Sequence, residues 1–398
     1  MAIITTTSQT ELKSSFIRID AEFFRPNHVA AYKTLDGIKG RYRLGQLCEK
    51  VTQGSNPVFS ISGLPCVNGK NIYFGTMQEG EPNYVSEQEF NRLSNYCLQK
   101  NDIVITLKHA TKIGRAWIVE NENPPKIFSR NVGLIRLAKD SFIIPSVLLM
   151  YLWSKSGQLC LDRCATGGTS GQITLPISEL KRIPIPPIPD ASQLEVDTLF
   201  QKSKEAAHDS EKCYQDAQHL LESELGLEKL KFKKPMGYTA RYSELEQSRR
   251  TDSEFFNPEL RHFWQKLSAR FEMIPISKLA AILKFGNPSY GTGGMPIVTQ
   301  KHLRSISPEG YGDELRTTVS WQQANPTAIL RCNDLLFYSV GAYLGKTNLW
   351  LNSDTAVPAS FITLLRCYND NDAGLLHMVL NSRYGILQSK CFQSGTSQ

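Results

Sequence analysis

The sequence lacks a long apolar run. Its longest apolar stretch, Phe142 to Trp153, is interrupted by Pro145 and Ser146 and is too short to cross a bilayer of about 30 Å. The first residues, MAIITTTSQTELK, contain no basic region followed by an apolar one, as an export signal would. These absences exclude a membrane-spanning protein of the helical type, and they predict a cytoplasmic one.

The cysteines are scattered along the sequence. The nine cysteines are an odd number, and the closest pair, Cys160 and Cys164, has no second pair or histidine at a metal-ligand spacing. The seven histidines are isolated from one another. The sequence therefore predicts reduced, mostly buried thiols and no metal site.

Three kinds of catalytic motif are also missing. Asn123 to Lys126 reads NPPK, which has a lysine where an adenine methyltransferase needs an aromatic residue to stack on the flipped base, and we interpret it as a surface turn. Pro189-Asp190 opens a helix instead of supplying the carboxylate pair of a nuclease. TGGTSG at Thr166 has no lysine, so no phosphate-binding loop of nucleotide hydrolases is present. We predict no catalytic residues and no cofactor bound by this chain.

What is present is an ordinary globular composition with a modest excess of basic residues. Of the 398 residues, 41% are hydrophobic and 21% charged, with 45 basic against 38 acidic side chains, which leaves room for two or three domains. The net charge is +7 over residues 1–189, −3 over 190–235 and +3 over 236–398. Two basic blocks around an acidic segment fit two modules that face a polyanion, although a solvated surface of mixed sign gives the same numbers.

An internal repeat organises the chain. DAEFFRP at Asp20 matches DSEFFNP at Asp252, and LQKNDIVIT at Leu98 matches LRCNDLLFY at Leu330, both at an offset of 232 residues. Two further matches, IGRA against LGKT and SGQLCLDRCATGGTS against YGILQSKCFQSGTS, follow in the same order. The chain is thus predicted to contain two diverged copies of one domain.

The local patterns predict an α+β fold for each copy. IVITLKHATKIGRAWIV from Ile103 and LLFYSVGAYLGKTNLWL from Leu335 each indicate two strands joined by a polar loop. FFRPNHVAAYKTL and FFNPELRHFWQKL each indicate a helix that begins near a proline. The elements do not alternate as a βαβα series.

The linker predicts one long helix. RIPIPPIPD from Arg182 is stiff, and Asp190 with Gln193 forms a helix-capping pair. No proline or glycine follows until about Leu225, so about 35 residues can form a helix of about 50 Å. Two apolar stripes recur at intervals of seven, and we expect a partner helix on this face, although the chain's own globules are the alternative. The predicted face consists of Leu199, Phe200, Ala206, Cys213, Tyr214, Leu220 and Leu221.

The junction GTSGQITLPISELKRIPIPPIPDASQ, from Gly168 to Gln193, resembles the end of a target recognition domain in the specificity subunits of type I restriction-modification systems. The duplicated layout and the DAEFF and DSEFF openings are similar to that family as well. The resemblance implies two mixed α/β target recognition domains, at residues 1–189 (with 1–16 as a leader) and 233–398. Residues 190–232 would form the central helix and linker between them, in a pseudo-two-fold arrangement.

The same resemblance implies the function and the partners. Each domain would read one half of a split double-stranded DNA target, while the helix would set the spacing and dock modification subunits. Those partners would bring S-adenosylmethionine and the methyl transfer, and restriction subunits with ATP and Mg would join them. Family members usually carry a second long helix after the second domain, so this sequence leads us to expect either a truncation or a helix supplied by another chain.

Candidate DNA contacts follow from residue type and loop position, since base edges are read by polar side chains and phosphates by basic ones. In the first copy they are Gln53, Ser55, Asn56, Asn68, Lys70, Lys108, His109, Lys112 and Arg115. In the second copy they are Tyr290, Gln300, Lys301, His302, Ser339, Tyr343 and Lys346.

Two other classes of function remain open at this stage. A duplicated adaptor that binds proteins through its globules and its helix would select no DNA sequence. A lone methyltransferase would bind S-adenosylmethionine by itself.

Overall fold

The computed structural model describes residues 18, 21–72, 83–109, 113–167, 172–228, 237–291, 293–303, 306–308, 311, 315–341 and 344–393. The chain divides into two compact units, and the division falls between Ala207 and His208. In these ranges no helix combines the length and the apolarity that crossing a membrane requires.

The first unit contains short helices and strands, as predicted for an α+β fold. Its helices are α1 (Pro26–Asp36), α2 (Glu87–Arg92), α3 (Pro145–Trp153), α4 (Lys155–Cys164) and α5 (Ile177–Leu180). Its strands are β1 (Tyr42–Arg43), β2 (Cys48–Gln53), β3 (Leu64–Val67), β4 (Asn83–Val85), β5 (Ile103–Thr106), β6 (Lys108–His109), β7 (Ala116–Ile118), β8 (Ile127–Phe128), β9 (Val132–Leu137), β10 (Thr166–Gly167), β11 (Ile173–Thr174) and β12 (Pro184–Ile185).

Two sheets form the framework of the first unit. The larger has the strand order β2-β9-β5-β7 and is antiparallel throughout. The smaller has the order β4-β3-β8, in which β3 and β8 are parallel. All four residues of β5 are buried, because α3 and α4 contribute to the same apolar cluster as this strand. Full burial explains why β5 is a continuous β-branched run instead of an alternating one.

A single helix follows the proline-rich linker. Helix α6 (Asp190–Glu224) has 35 residues, which confirms the predicted length and start. Asp190 lies in its first turn, where a carboxylate interacts favourably with the positive end of the helix dipole. Helix α6 contributes residues to both units, and the three-part division inferred from the sequence remains a prediction.

The second unit contains counterparts of the two framework sheets of the first unit. Its strands are β13 (Ala280–Leu283), β14 (Gly293–Val298), β15 (Arg316–Thr318), β16 (Leu335–Tyr338), β17 (Thr347–Leu349), β18 (Val357–Pro358) and β19 (Ile362–Cys367). Its helices are α7 (Tyr242–Ser248), α8 (Pro258–Ser268), α9 (Ile276–Leu279), α10 (Val319–Ala324), α11 (Asn371–Asn381) and α12 (Arg383–Cys391).

The sheet topology confirms the internal repeat. The order β13-β19-β16-β17 corresponds to β2-β9-β5-β7, and β15-β14-β18 corresponds to β4-β3-β8, including its one parallel pair. The predicted strand pairs are β5 with β7 and β16 with β17. Both predicted proline-started helices, α1 and α8, have the proline in their first turn.

The aromatic motif that opens each copy is a structural anchor. The Arg18 guanidinium lies 4.4 Å from the Phe23 ring centroid and donates to the carbonyls of Cys164 and Ala165 at the end of α4. In the second copy, Arg250 lies 4.8 Å from the Phe255 ring centroid and donates to the carbonyls after α12. An arginine stacked on an aromatic ring with its donors satisfied by carbonyls thus ties the start of the first copy to the end of α4 and the start of the second copy to the end of α12.

Candidate nucleic-acid interface

Predicted contacts of the first copy meet at the turn between β8 and β9. The Gln53 side-chain amide donates to the Arg130 carbonyl at 2.6 Å. The Leu107 and Lys108 amides donate to the Asn131 carbonyl at 2.9 and 3.3 Å. These bonds bring the ends of β2 and β5 to one turn, although Gln53 and Lys108 are 55 residues apart in the sequence.

A 3-10 turn over Gly69–Asn71 lies beside the same place. A side chain added at Gly69 would come within 3.3 Å of the Thr106 methyl group, so glycine allows the turn to approach the end of β5. The Asn71 side chain is buried and accepts from the Asn68 amide at 2.9 Å. Lys70, between them, is exposed.

These residues define what we call the first edge: Gln53, Lys70, Lys108, Arg130 and Asn131. Lys70 and Arg130 are exposed, while Gln53, Lys108 and Asn131 are half-buried. Three basic side chains beside an amide pair combine phosphate-binding groups with groups that hydrogen-bond to base edges. Arg130 and Asn131 were not predicted from the sequence.

The second copy builds an equivalent edge from the same backbone hydrogen bonds. The Ser339 amide donates to the Phe361 carbonyl at 3.1 Å, as Leu107 does to Asn131. The Ala359 amide donates to the Val298 carbonyl at 2.8 Å, as Ser129 does to Val67 at 2.9 Å. We call the corresponding residues the second edge: Lys284, Lys301, Val340, Ser360 and Phe361.

His302 does not lie on the surface, which corrects its selection as a DNA contact. It is 5% exposed, and its Nδ1 accepts from the Thr299 amide at 3.0 Å. Asn71 does the same for Asn68 in the first copy. The side chain at this position closes a 3-10 turn, and the exposed side chain of each turn is the preceding lysine, Lys70 or Lys301.

The other predicted contacts are more dispersed. Ser55 forms a parallel bridge with Ser129, next to the first edge, and Asn56 is exposed. Asn68 donates its side-chain amide to the Cys66 carbonyl, and Arg115 is half-buried in the segment that precedes β7.

In the second copy, Tyr290 and Gln300 are exposed. The Ser339 hydroxyl donates to the Phe361 carbonyl at 3.0 Å, and Lys346 is half-buried. The His109 side chain, Lys112 and Tyr343 lie outside the described residues, so their predicted role stays a prediction.

One signal could have found the missed edge residues. IFSRNVGLIRL from Ile127 aligns with VPASFITLLRC from Val357 when the repeat is followed past its obvious matches. That alignment places Arg130 and Asn131 on Ser360 and Phe361, in a turn between two strands. Because such turns are surface segments that carry binding residues, their divergence would have drawn attention to them.

The predicted partner face of α6 is divided into two stripes. Phe200 is buried within the first unit, with its ring centroid 6.1 Å from that of Trp117, and Tyr214 lies 5.8 Å from His377 in the second unit. These two residues therefore pack on the chain's own domains, and Leu221 is half-buried. Leu199 and Leu220 are 59% and 64% exposed, and Ala206 and Cys213 are exposed as well.

The buried thiols Cys66 and Cys160 have no nucleophilic character. All nine cysteines are free. Burial raises the pKa of Cys66 to about 12 and that of Cys160 to about 11, so both thiols are protonated at neutral pH. Four cysteines are buried, three are half-buried, and Cys213 and Cys332 are exposed.

One of the excluded catalytic motifs, NPPK, has ordinary structural surroundings. Asn123 to Pro125 form an exposed turn, whereas Lys126, the last residue of NPPK, is buried. In the part of the chain that the structure describes, no three histidine, cysteine or acidic side chains are grouped as metal ligands would be.

Comparison with known proteins identifies the class. The family model of the type I restriction modification DNA specificity domain matches residues 39–211, which include the first edge and the first half of α6. The first copy of the repeat, with part of the long helix, therefore matches a DNA specificity domain of type I restriction-modification systems. This match favours a DNA-specificity role, and the duplicated-adaptor alternative is not favoured.

Solved structures give more distant likenesses. A type I restriction-modification S subunit from M. genitalium is 14% identical over 89% of this chain and 79% of its own, with a TM-score of 0.35. The HsdS subunit from Thermoanaerobacter tengcongensis is 14% identical over 89% and 81%, with a TM-score of 0.29. No curated protein matches the sequence.

Proposed function

We propose that each copy reads one half of a bipartite DNA target through its own edge. The observation that carries this proposal is that two edges share their backbone hydrogen bonds and differ in their side chains. A constant framework presents the variable groups at the same position, as two different half-sites require. Lysine and arginine would fix the register on phosphates, and the remaining edge side chains would discriminate bases.

The chain would choose the site while other subunits perform the reaction. The exposed stripe of α6, consisting of Leu199, Ala206, Cys213 and Leu220, recurs every seven residues and is suited to a helix of a modification subunit. Small residues at two of these positions allow close approach. S-adenosylmethionine, ATP and Mg would be bound by modification and restriction subunits, in the cytoplasm where the DNA is.

The test uses the full chain assembled with the modification subunit of its own system. Selection from a pool of random duplexes should yield two short sequences separated by a spacer of fixed length. Equilibrium dialysis should show S-adenosylmethionine bound by the assembly and not by the purified chain. A contiguous motif, binding without base preference, or methylation by the chain alone would contradict the proposal.

A further inference from the structure

Two large apolar side chains are exposed on the second edge. Val340 is 49% and Phe361 is 53% exposed. They are close together, because Ser339, the neighbour of Val340, donates both its amide and its hydroxyl to the Phe361 carbonyl. Single exposed apolar residues are common on protein surfaces, so exposure by itself does not define a site.

The apolar pair of the second edge occupies positions that carry polar side chains in the first edge. Thr106 pairs with Val132 in the first copy, and Tyr338 pairs with Ile362 in the second. Lys108 lies two residues after Thr106, and Val340 lies two residues after Tyr338. Asn131 and Phe361 each lie one residue before the paired Val132 and Ile362. Val340 therefore occupies the position of Lys108, and Phe361 occupies that of Asn131. The second edge therefore has two hydrocarbon side chains where the first edge has an amine and an amide.

The chemistry of base recognition distinguishes these two pairs. Asparagine and lysine are suited to hydrogen-bonding groups of adenine and guanine, whereas phenylalanine and other apolar side chains contact the 5-methyl group of thymine. An apolar side chain can also act as a wedge between base steps. The corresponding positions of the first edge carry side chains suited to base edges, which favours contact with a base edge over insertion.

We propose that Val340 and Phe361 are specificity-determining residues that read the methyl group of thymine in the half-site of the second copy. This inference rests on the proposed function, since it requires the second edge to face DNA. Lys284 and Lys301 are both exposed on the same edge and would hold the flanking phosphates, so the apolar pair need not supply the nonspecific affinity.

Deoxyuridine tests the proposal because it removes only the methyl group. The probe is the selected duplex, bound by the full chain assembled with its modification subunit, with thymine replaced by deoxyuridine in one half-site at a time. Replacement in the second half-site should weaken binding about fourfold for each buried methyl group. Replacement in the half-site of the first copy should leave binding unchanged.

Variants assign the effect to the side chains. In the double variant that combines Val340→Ala with Phe361→Ala, duplexes with thymine and with deoxyuridine should bind equally, whereas Phe361→Ala alone and Phe361→Leu should each keep part of the difference. The matched control is Asn131→Ala, which should leave the deoxyuridine effect of the second half-site intact.

Several results overturn the proposal. They are a second half-site without thymine on either strand, equal binding of the two duplexes by the unaltered chain, or a deoxyuridine effect that persists in the double variant of Val340 and Phe361. If Phe361→Ala weakens both duplexes equally and straightens the bound DNA, Phe361 is a wedge and does not read a methyl group. Absence of any sequence selection would instead mean that the proposed function itself is wrong.

Discussion

Single residues explain why the Asn-Asp pair marks both copies. Asn101 and Asn333 have φ of 71° and 68°, in the left-handed region that asparagine tolerates better than most residues. The following Asp102 and Asp334 are each 2% exposed or less and form paired hydrogen bonds of 2.7 to 2.8 Å with Arg136 and Arg366. The dipeptide turns the chain into β5 or β16 and fixes the neighbouring strand, so its repetition reflects folding and not recognition.

Charge at the edges should control the salt dependence of DNA binding. Lys108→Ala, Arg130→Ala and Lys301→Ala should each weaken binding to all sequences and lower the slope of log K against log salt by up to about 0.9, because each removes one phosphate contact. The measurement is a titration at several salt concentrations. Lys100→Ala is the control, since Lys100 precedes β5 at the end opposite Lys108. An unchanged slope in all three variants would mean that DNA binds another face.

At the scale of elements, α6 uses neighbouring stripes for different contacts. Phe200, in the stripe that continues through Tyr214, packs against Trp117, while Leu199, in the other stripe, remains exposed. Both stripes repeat every seven residues, so sequence periodicity alone cannot separate them. The difference lies in which stripe the globular parts of the chain cover.

Variants in the two stripes should therefore affect different properties, the stability of the fold in one stripe and the binding of the modification subunit in the other. Phe200→Ala should lower the free energy of unfolding by about 3 kcal/mol or more because it leaves a cavity beside Trp117. Leu199→Gln and Leu220→Gln should change it by less than about 0.5 kcal/mol and weaken binding of the modification subunit. Urea unfolding and a pull-down assay measure the two effects, and Lys202→Ala, exposed on the same helix, serves as the control. Normal subunit binding by both glutamine variants would remove the docking role of the stripe.

The helix that follows the large sheet differs in polarity between the copies. In the first, the Trp153 indole on α3 donates to the Ala116 carbonyl at 2.9 Å. In the second, Asn381 on α11 donates to the Thr347 carbonyl at 2.8 Å. One turn earlier, a buried leucine, Leu149, corresponds to His377, which is 2% exposed. Burial lowers the pKa of His377 to about 4.

This histidine should make the second unit acid-sensitive. Because its pKa is depressed on folding, the unfolded chain binds more protons between about pH 4 and 6.5, and stability is complete only above that window. Lowering the pH from 7 to 5 should cost about 2 kcal/mol through His377 alone. His377→Leu introduces the residue that the first copy has at this position. This variant should remove the part of the stability loss that His377 causes, as measured by urea unfolding at pH 7 and pH 5. An identical loss in the variant would place the acid sensitivity elsewhere.

At the scale of the whole molecule, duplication lets two recognition surfaces diverge independently. Each copy has its own pair of sheets and its own buried apolar clusters. A change at one edge therefore leaves the framework of the other copy intact, because the apolar clusters of the two copies share no residue.

Exchange of segments tests this independence. Replacing residues 50–130 with the corresponding segment of another family member should change one half of the recognised motif and leave the other half unchanged. Replacing residues 281–360 should change only the opposite half. The measurement is the sequence motif at the methylated sites, mapped in cells that carry the altered chain with its modification subunit. A shift of both halves from one exchange would contradict the assignment of one half-site to each copy.

The sequence was most informative where short-range patterns repeat. The offset matches predicted the duplication, and the strand pairs β5-β7 and β16-β17 were predicted from β-branched runs around polar centres. It was less informative for the edges. His302 looked like a surface residue in a polar segment, yet its ring closes a turn inside the fold, and Phe361, which the sequence analysis did not select, is half exposed on the second edge.

The amino-acid order alone determined the two copies, the long helix between them and the resemblance to a known family, because these depend on local periodicity and on residue spacing along the chain. Only the tertiary structure decided which side chains reach the surface together. Gln53, Lys108 and Asn131 come from separate segments, and long-range strand pairing brings them to one turn. The same pairing decides that Phe200 is covered and Leu199 is not, since burial depends on what packs against a residue and not on the residue's place in a heptad.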